Sequence, residues 1–230
     1  MALGDAPESA HIRLPANRQG RDFLLGDLHG MHEAFGQALK ACGFDPQRDR
    51  VISVGDLIDR GPDSPACLRL LEEPWFHAVR GNHEQLMLDV LDGREDPALW
   101  TINGGDWSLA ADLDGELAGP VAQARNLPHA LTLERPDAAA IGVTHAEYPR
   151  SDWAEIEQAA QDEHDRQAML WGRRVIKGGR RQDTANVALT VHGHTPIEAP
   201  LRLGTALFID TGAVYGGSLT LLTVEQALGL

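Results

Sequence analysis

The sequence predicts an α/β chain of the α+β sandwich kind: two mixed β-sheets packed face to face and flanked by helices. Three observations carry this expectation. Through the first half, short apolar runs alternate with helix-like stretches, which implies a parallel sheet with helices on its faces. Beyond residue 128 strand-like runs crowd together with fewer helices between them, which predicts a second sheet, mixed or antiparallel, stacked on the first. Three early strands each stop at a glycine followed by a polar cluster, and ligands gather at the carboxyl ends of strands in open α/β sheets.

The elements follow in order. Residues 1–20, mixed and polar with Pro7, Pro15 and Gly20, read as a loose lead-in with room for one short strand, and residues 21–230 as a single domain. Phe23-Leu24-Leu25 is a buried strand ending at Gly26, and Glu33–Cys42 places Phe35, Ala38, Leu39 and Cys42 at helical intervals. Val51–Val54 is a β-branched strand ending at Gly55, followed by a helix over Ser64–Leu71. Phe76–Val79 is a third strand running into Gly81, and Glu84–Leu91 a helix with Leu86, Met87, Val90 and Leu91 facing inward. Residues 94–128 carry Asn103-Gly104-Gly105 and otherwise read as a helical lobe or cap. Further strands are expected at Ala130–Leu133, Ala139–Thr144, Val187–His192, Ala206–Ile209 and Leu219–Val224, with a helix over Trp153–Trp171 and a basic, glycine-rich loop at Lys177–Arg181.

Charge narrows the function. With 34 acidic and 20 basic residues the net charge is −14, a surface that repels a nucleic-acid backbone. Any site for anionic phosphate therefore needs local positive charge from metals or arginines. Cys42 and Cys67 form no CxxC pair and read as buried free thiols. No signal peptide is visible in Met1–Ala10, and no apolar run approaches the roughly 18 residues of a spanning helix, so a cytoplasmic monomer without a membrane partner is the expectation.

The strand ends carry the chemistry. Gly26-Asp27-Leu28-His29-Gly30 sets Asp27 and His29 two apart, so an extended loop can aim both the same way. An oxygen beside an imidazole nitrogen suits Mn²⁺, Fe or Zn²⁺ better than Ca²⁺. Gly55-Asp56-Leu57-Ile58-Asp59-Arg60-Gly61 offers Asp56 as a candidate bridge between metals, Asp59 to orient another residue, and Arg60 as a bidentate phosphate donor. In Arg80-Gly81-Asn82-His83-Glu84, Asn82 is a neutral oxygen ligand or the cap of the following helix, or both, with titratable His83 beside it. His145 and His194 each stand at a strand terminus. His192, inside its strand, reads as a satisfied structural residue, as do His11, His32, His77, His129 and His164. Any one of these motifs occurs by chance. Five successive strand ends, each with a ligand-competent residue and four with a flanking glycine, form a strong joint signal.

GDLHG, GDLIDRG, GNHE, a later TH and GHT, in this order, resemble the metallophosphoesterase signature. Asp59-Arg60 and Glu84 narrow the resemblance to the phosphoprotein phosphatase family, nearest its lambda-type bacterial and phage serine/threonine phosphatases. Ile52-Ser53-Val54, Pro74-Trp75-Phe76, Asn103-Gly104-Gly105 and Ile209–Val214 extend the similarity to about residues 22–224. The resemblance implies the calcineurin-like fold and a phosphomonoester hydrolase using a metal-bridging hydroxide for direct in-line attack, with no phosphoenzyme. It implies that Asp27, His29 and Asp56 hold one divalent metal, and Asp56, Asn82, His145 and His194 the second, with Mn²⁺ the first choice and Fe or Zn²⁺ the alternatives. It implies His83 as general acid held by Asp59, and Arg60, Arg173 and Asn82 as ligands of the substrate phosphate. Arg173 shares its place with adjacent Arg174. The implied substrate is a phosphorylated protein or peptide, with dual specificity left open. The nearest rival is a dinucleoside-polyphosphate hydrolase, a group that tends to lack the carboxylate matching Asp59 and to carry Asp in place of Glu84. A nuclease of the wider superfamily usually ends in Gly-His-x-His, where this chain has Pro196. A non-catalytic metal-binding scaffold would have no need of a proton-donor pair.

Overall fold

In the computed structural model, which describes residues 10–230, the chain forms, in order, strands β1 (His11–Leu14) and β2 (Asp22–Leu25), helix α1 (His32–Ala41), β3 (Arg50–Ser53), α2 (Ser64–Arg69), β4 (Phe76–Ala78), α3 (Asn82–Leu91), α4 (Pro97–Ile102), α5 (Ala118–Arg125), β5 (Ala130–Arg135), β6 (Ala138–Thr144), α6 (Ile156–Gln161), α7 (Glu163–Trp171), α8 (Arg174–Gly178), β7 (Leu189–His192), β8 (Leu201–Leu203), β9 (Ala206–Phe208), β10 (Leu221–Thr223) and α9 (Val224–Leu228). Residues 1–9 of the expected lead-in lie outside the described residues.

Two mixed sheets result. One has the order β10-β2-β3-β4, with β2, β3 and β4 parallel and β10 antiparallel to β2; the other has the order β1-β5-β6-β7-β9-β8. Side chains alternate across each strand, and burial sorts them into two layers. Leu24, Ile52, Val54 and Val79 of the smaller sheet meet Leu131, Ile141, Val143, Val191 and Leu207 of the larger one in the inner layer. Phe23, Leu25, Val51 and Phe76 point the other way, under Phe35, Leu68, Met87, Val121 and Trp100 from the helices. Each such side chain contributes about 1.5–3 kcal/mol by leaving water. Among the described residues no helix is long and apolar enough to cross a membrane.

The structure corrects the expected layout in several places. The two ends of the chain exchange sheets: β1 pairs with β5, whereas β10 leaves the later strands and pairs with β2. Each end thereby covers an edge that the local pattern could not assign. The single helix expected over Trp153–Trp171 is a 3₁₀ turn followed by α6 and α7, broken at Asp162, whose side chain accepts the Asp165 N–H at 3.1 Å and caps α7. Gly81, not Asn82, precedes α3; Asn82 is its first helical residue. The basic stretch expected as a loop begins inside α8, and Gly179 ends that helix in the left-handed region. Cys67 is buried, Cys42 only half-buried, and both thiols are free.

Candidate metal centre and acid pair

The carboxyl ends of β2, β3 and β4, together with the turns after β6 and β7, converge on one spot. The loops get there by adopting costly backbone. His29 (φ 43°), Asp56 (φ 50°), Asp59 (φ 75°), Arg60 (φ 71°) and His194 (φ 69°) all occupy the left-handed region. Each non-glycine residue there costs of order 1–3 kcal/mol, a concentration typical of functional loops. Gly193 shows how closely the loops approach: a Cβ at this position would lie 1.9 Å from Asp27 Oδ1 and 2.5 Å from Val54 Cγ2.

Two donor clusters lie side by side. In the first, ligand-competent atoms of His29, Asp56 and His83 meet within 4.8 Å; in the second, those of Asp56, His145 and His194 do. Asp56 belongs to both. Asn82 joins the second through Oδ1, 2.9 Å from His145 Nε2 and 2.8 Å from His194 Nδ1. Asp27 falls outside the first cluster, and its carboxylate instead accepts the His194 N–H at 3.0–3.1 Å.

The chemistry of the donors fits divalent metals. His29 Nδ1 donates to the Ile58 carbonyl and His145 Nδ1 to the Val54 carbonyl, each at 2.8 Å. Committing one ring nitrogen to a carbonyl turns the lone pair of the other nitrogen toward the cluster, as metal-ligating histidines commonly are held. Burial pushes His29 and His194 down to about 3, so both rings are neutral and able to ligate. Burial pushes the Asp27 carboxyl well above the ordinary range, with Asp210 and Asp56 adding to the rise. Asp56 is pushed up by burial too, but the His145, His83 and His29 imidazoles outweigh that and hold it well below. Several acids crowded out of water in one place match the charge of divalent cations.

His83, a member of the first cluster, also sets Nδ1 2.7 Å from Asp59 Oδ2, with both side chains almost wholly buried. Arg60 Nη1 reaches His29 Nε2 at the rim, and Arg173 Nε donates to His194 Nε2 at 3.1 Å. Arg174 turns away toward Glu147, 3.8 Å off, so Arg173 is the member of the pair that faces the centre. His192 is spent in the core between the Thr144 and Thr190 hydroxyls at 3.0 and 2.9 Å.

Three residues escaped the sequence reading of the site. Glu84 accepts backbone N–H groups from Gly81 and Asp56 at 2.9 Å and from Leu57 at 2.7 Å, and so ties the second strand-end loop to the third. Trp100 and Trp107, from the helical lobe, donate their indole N–H groups to Asp59. Glu84 was visible as a motif letter, but no sequence signal marks an indole as a donor to a distant carboxylate.

The calcineurin-like phosphoesterase model matches residues 23–200, more than half of the chain and all of the strand ends just described. The chain belongs to this family. Its relatives include serine/threonine-protein phosphatase 1 of Salmonella typhimurium, 37 % identical over 95 % of this chain and 99 % of that protein. A shorter match, 41 % identical over 31 % of this chain and 26 % of the relative, is to the symmetrical bis(5'-nucleosyl)-tetraphosphatase of Dechloromonas aromatica. The crystal structure of a protein provisionally named a diadenosine tetraphosphatase shares the fold, with a TM-score of 0.60 at 21 % identity over 94 % of this chain and 98 % of that one.

Proposed function

We propose that this calcineurin-like phosphoesterase is a metal-dependent serine/threonine protein phosphatase acting on phosphorylated proteins or peptides in the cytoplasm. The observation that carries the reading is the buried His83–Asp59 pair set against the Asp56 cluster. A cluster that only bound metal would have no use for an imidazole held by a carboxylate beside it, which disfavours a scaffold role. The near end-to-end match to a named protein phosphatase supports the substrate class.

In this reading His29 and Asp56 hold one metal, with Asp27, which now accepts the His194 N–H, turning an oxygen to it, and Asp56, Asn82, His145 and His194 hold the other. Mn²⁺ is the proposed metal, on the mixed oxygen and imidazole donor set. When bound, two such ions supply an acidified water and neutralise charge on the phosphoryl oxygens. The remaining work falls to the protein. Arg60 and Arg173 bind the equatorial oxygens of the phosphoryl group, where transition-state charge spreads, and Asn82 borders the same space. His83 gives its proton from Nε2 to the leaving seryl or threonyl oxygen, while Asp59 holds Nδ1 and steadies the ring. The two arginines also meet the need for local positive charge in a chain of net charge −14.

The second reading, hydrolysis of a dinucleoside polyphosphate, draws on the shorter tetraphosphatase match. Against it stand Asp59 and Glu84, the two carboxylates by which the phosphatase motif differs. A metal titration tests the main reading. Chelator-treated protein should regain phosphoserine-peptide hydrolysis in step with the binding of two Mn²⁺ per chain. Full hydrolysis with no metal bound would overturn it.

A further inference from the structure

The lobe over residues 94–128 contributes nothing to the donor clusters, yet it touches the acid pair at one point. Trp100, in α4, places Nε1 3.0 Å from both oxygens of Asp59, and Trp107, in the 3₁₀ turn Gly105–Leu109, places Nε1 2.7 Å from Oδ1. The two indoles pack edge to face with centroids 5.7 Å apart. With His83 on Oδ2, the fully buried carboxylate has three ring N–H partners, two of them indoles, which carry no charge. Among the described residues no arginine or lysine pairs with it.

That donor set has a physical consequence. Neutral donors fix the plane of a carboxylate and satisfy its lone pairs without cancelling its charge. The charge therefore remains available to the imidazole, and the plane decides where His83 points. The backbone is built to bring the indoles in. Gly104 (φ +99°) accepts the Arg60 N–H at 2.9 Å, and a Cβ there would lie 2.5 Å from Arg60 N. A Cβ on Gly105 would lie 2.3 Å from the Trp100 ring. The absence of side chains at Gly104 and Gly105 thus lets the lobe pack closely against the Asp59-Arg60 loop and the Trp100 ring.

We propose that Trp100 and Trp107 are positioning residues for the proton-transfer step, aligning Asp59 and through it His83, so that the lobe couples to departure of the leaving group. This rests on the reading of His83 as the proton donor. The test compares Trp100→Phe, Trp107→Phe and His83→Asn with the parent protein, Mn²⁺-loaded, on a phosphoserine peptide and on p-nitrophenyl phosphate. An alkoxide leaving group needs the proton; nitrophenolate hardly does. Each Trp→Phe change should lower kcat on the peptide about tenfold or more, within the roughly 10²–10⁴-fold that an acid supplies. On the aryl phosphate kcat should stay within about threefold, and KM should stay near the parent value for both substrates. Equal losses on the two substrates, or none, would overturn the proposal. If His83→Asn itself shows no leaving-group split, the acid assignment fails, and the positioning role with it. A second readout needs no turnover: the indole N–H resonances of Trp100 and Trp107 should be protected from solvent exchange and shift in Asp59→Asn. Free exchange of both in the parent protein would overturn the proposal even if a variant misfolds.

Discussion

Asp56 accepts the backbone N–H of His83 on Oδ1 at 3.0 Å, and this anchor leaves its other oxygen to face the two donor clusters. Oδ2 lies 3.6 Å from His29 Nε2 and 3.4 Å from His145 Nε2, between the two donor groups. One oxygen holds the loop while the second is shared. Asp56→Asn keeps the shape and removes the charge, so it should abolish turnover and weaken metal binding, read by metal content after dialysis. Near-normal turnover with full metal content would contradict a bridging role.

His83→Asn should leave metal content unchanged, because the ring is held by Asp59 and not needed as a ligand. Turnover on a phosphoserine peptide should fall about 10²–10⁴-fold. The same variant on an acidic phenyl phosphate should lose far less. Loss of one metal in this variant would instead make His83, which lies in the first donor cluster, a ligand.

Glu84→Gln tests the tie between two loops. Gln offers one acceptor oxygen where the carboxylate serves three amides at 2.7–2.9 Å. Leaving a buried N–H unpaired costs about 1–3 kcal/mol, and a domain of this size loses about 2–4 °C in Tm per kcal/mol. Thermal unfolding should therefore shift down by about 2–12 °C. An unchanged Tm would mean that the three bonds carry no net stability.

Acid should destabilise the fold through buried histidines that are not members of the donor clusters. Burial pushes His129 and His192 down to about 3 from an ordinary 6.5. The folded value lies below the unfolded one, so between these limits the unfolded chain binds more protons. Stability is intact above about pH 6.5 and falls as the pH drops toward 3, by about 1.4 kcal/mol per pH unit for each such ring. Denaturant titrations at pH 7.5, 6 and 5 should show a shallower fall for His192→Gln than for the parent. Parallel curves would mean that His192 carries none of this pH dependence.

Much of the centre was legible because its signals are local. A strand, a glycine and a polar cluster sit within a few residues at Asp27, Asp56 and Asn82, and the order of the five strand ends carries the joint signal. The motifs offered Asp59 to orient another residue and His83 as a titratable group, but their pairing came only from the resemblance, since nothing in either motif states that the two meet. What escaped was non-local. Trp100 and Trp107 lie 41 and 48 residues from Asp59 in the chain, and apolar rings of that spacing read as core. The exchange of β1 and β10 between sheets depends on which edge stands free, which no run of side chains records. The break at Asp162 was there to be read: an aspartate that caps the next three residues interrupts a helical pattern that apolar spacing alone would carry through.

A metal-dependent phosphatase that acts on a phosphorylated side chain is distinguished from a dinucleotide hydrolase by its substrate. Protein stripped of metal and resupplied with Mn²⁺ should be given a phosphoserine peptide and, separately, diadenosine tetraphosphate. Metal-dependent release of phosphate from the peptide, with the dinucleotide untouched, is the result predicted. Strong preference for the dinucleotide would contradict the substrate class while leaving the two-metal centre in place.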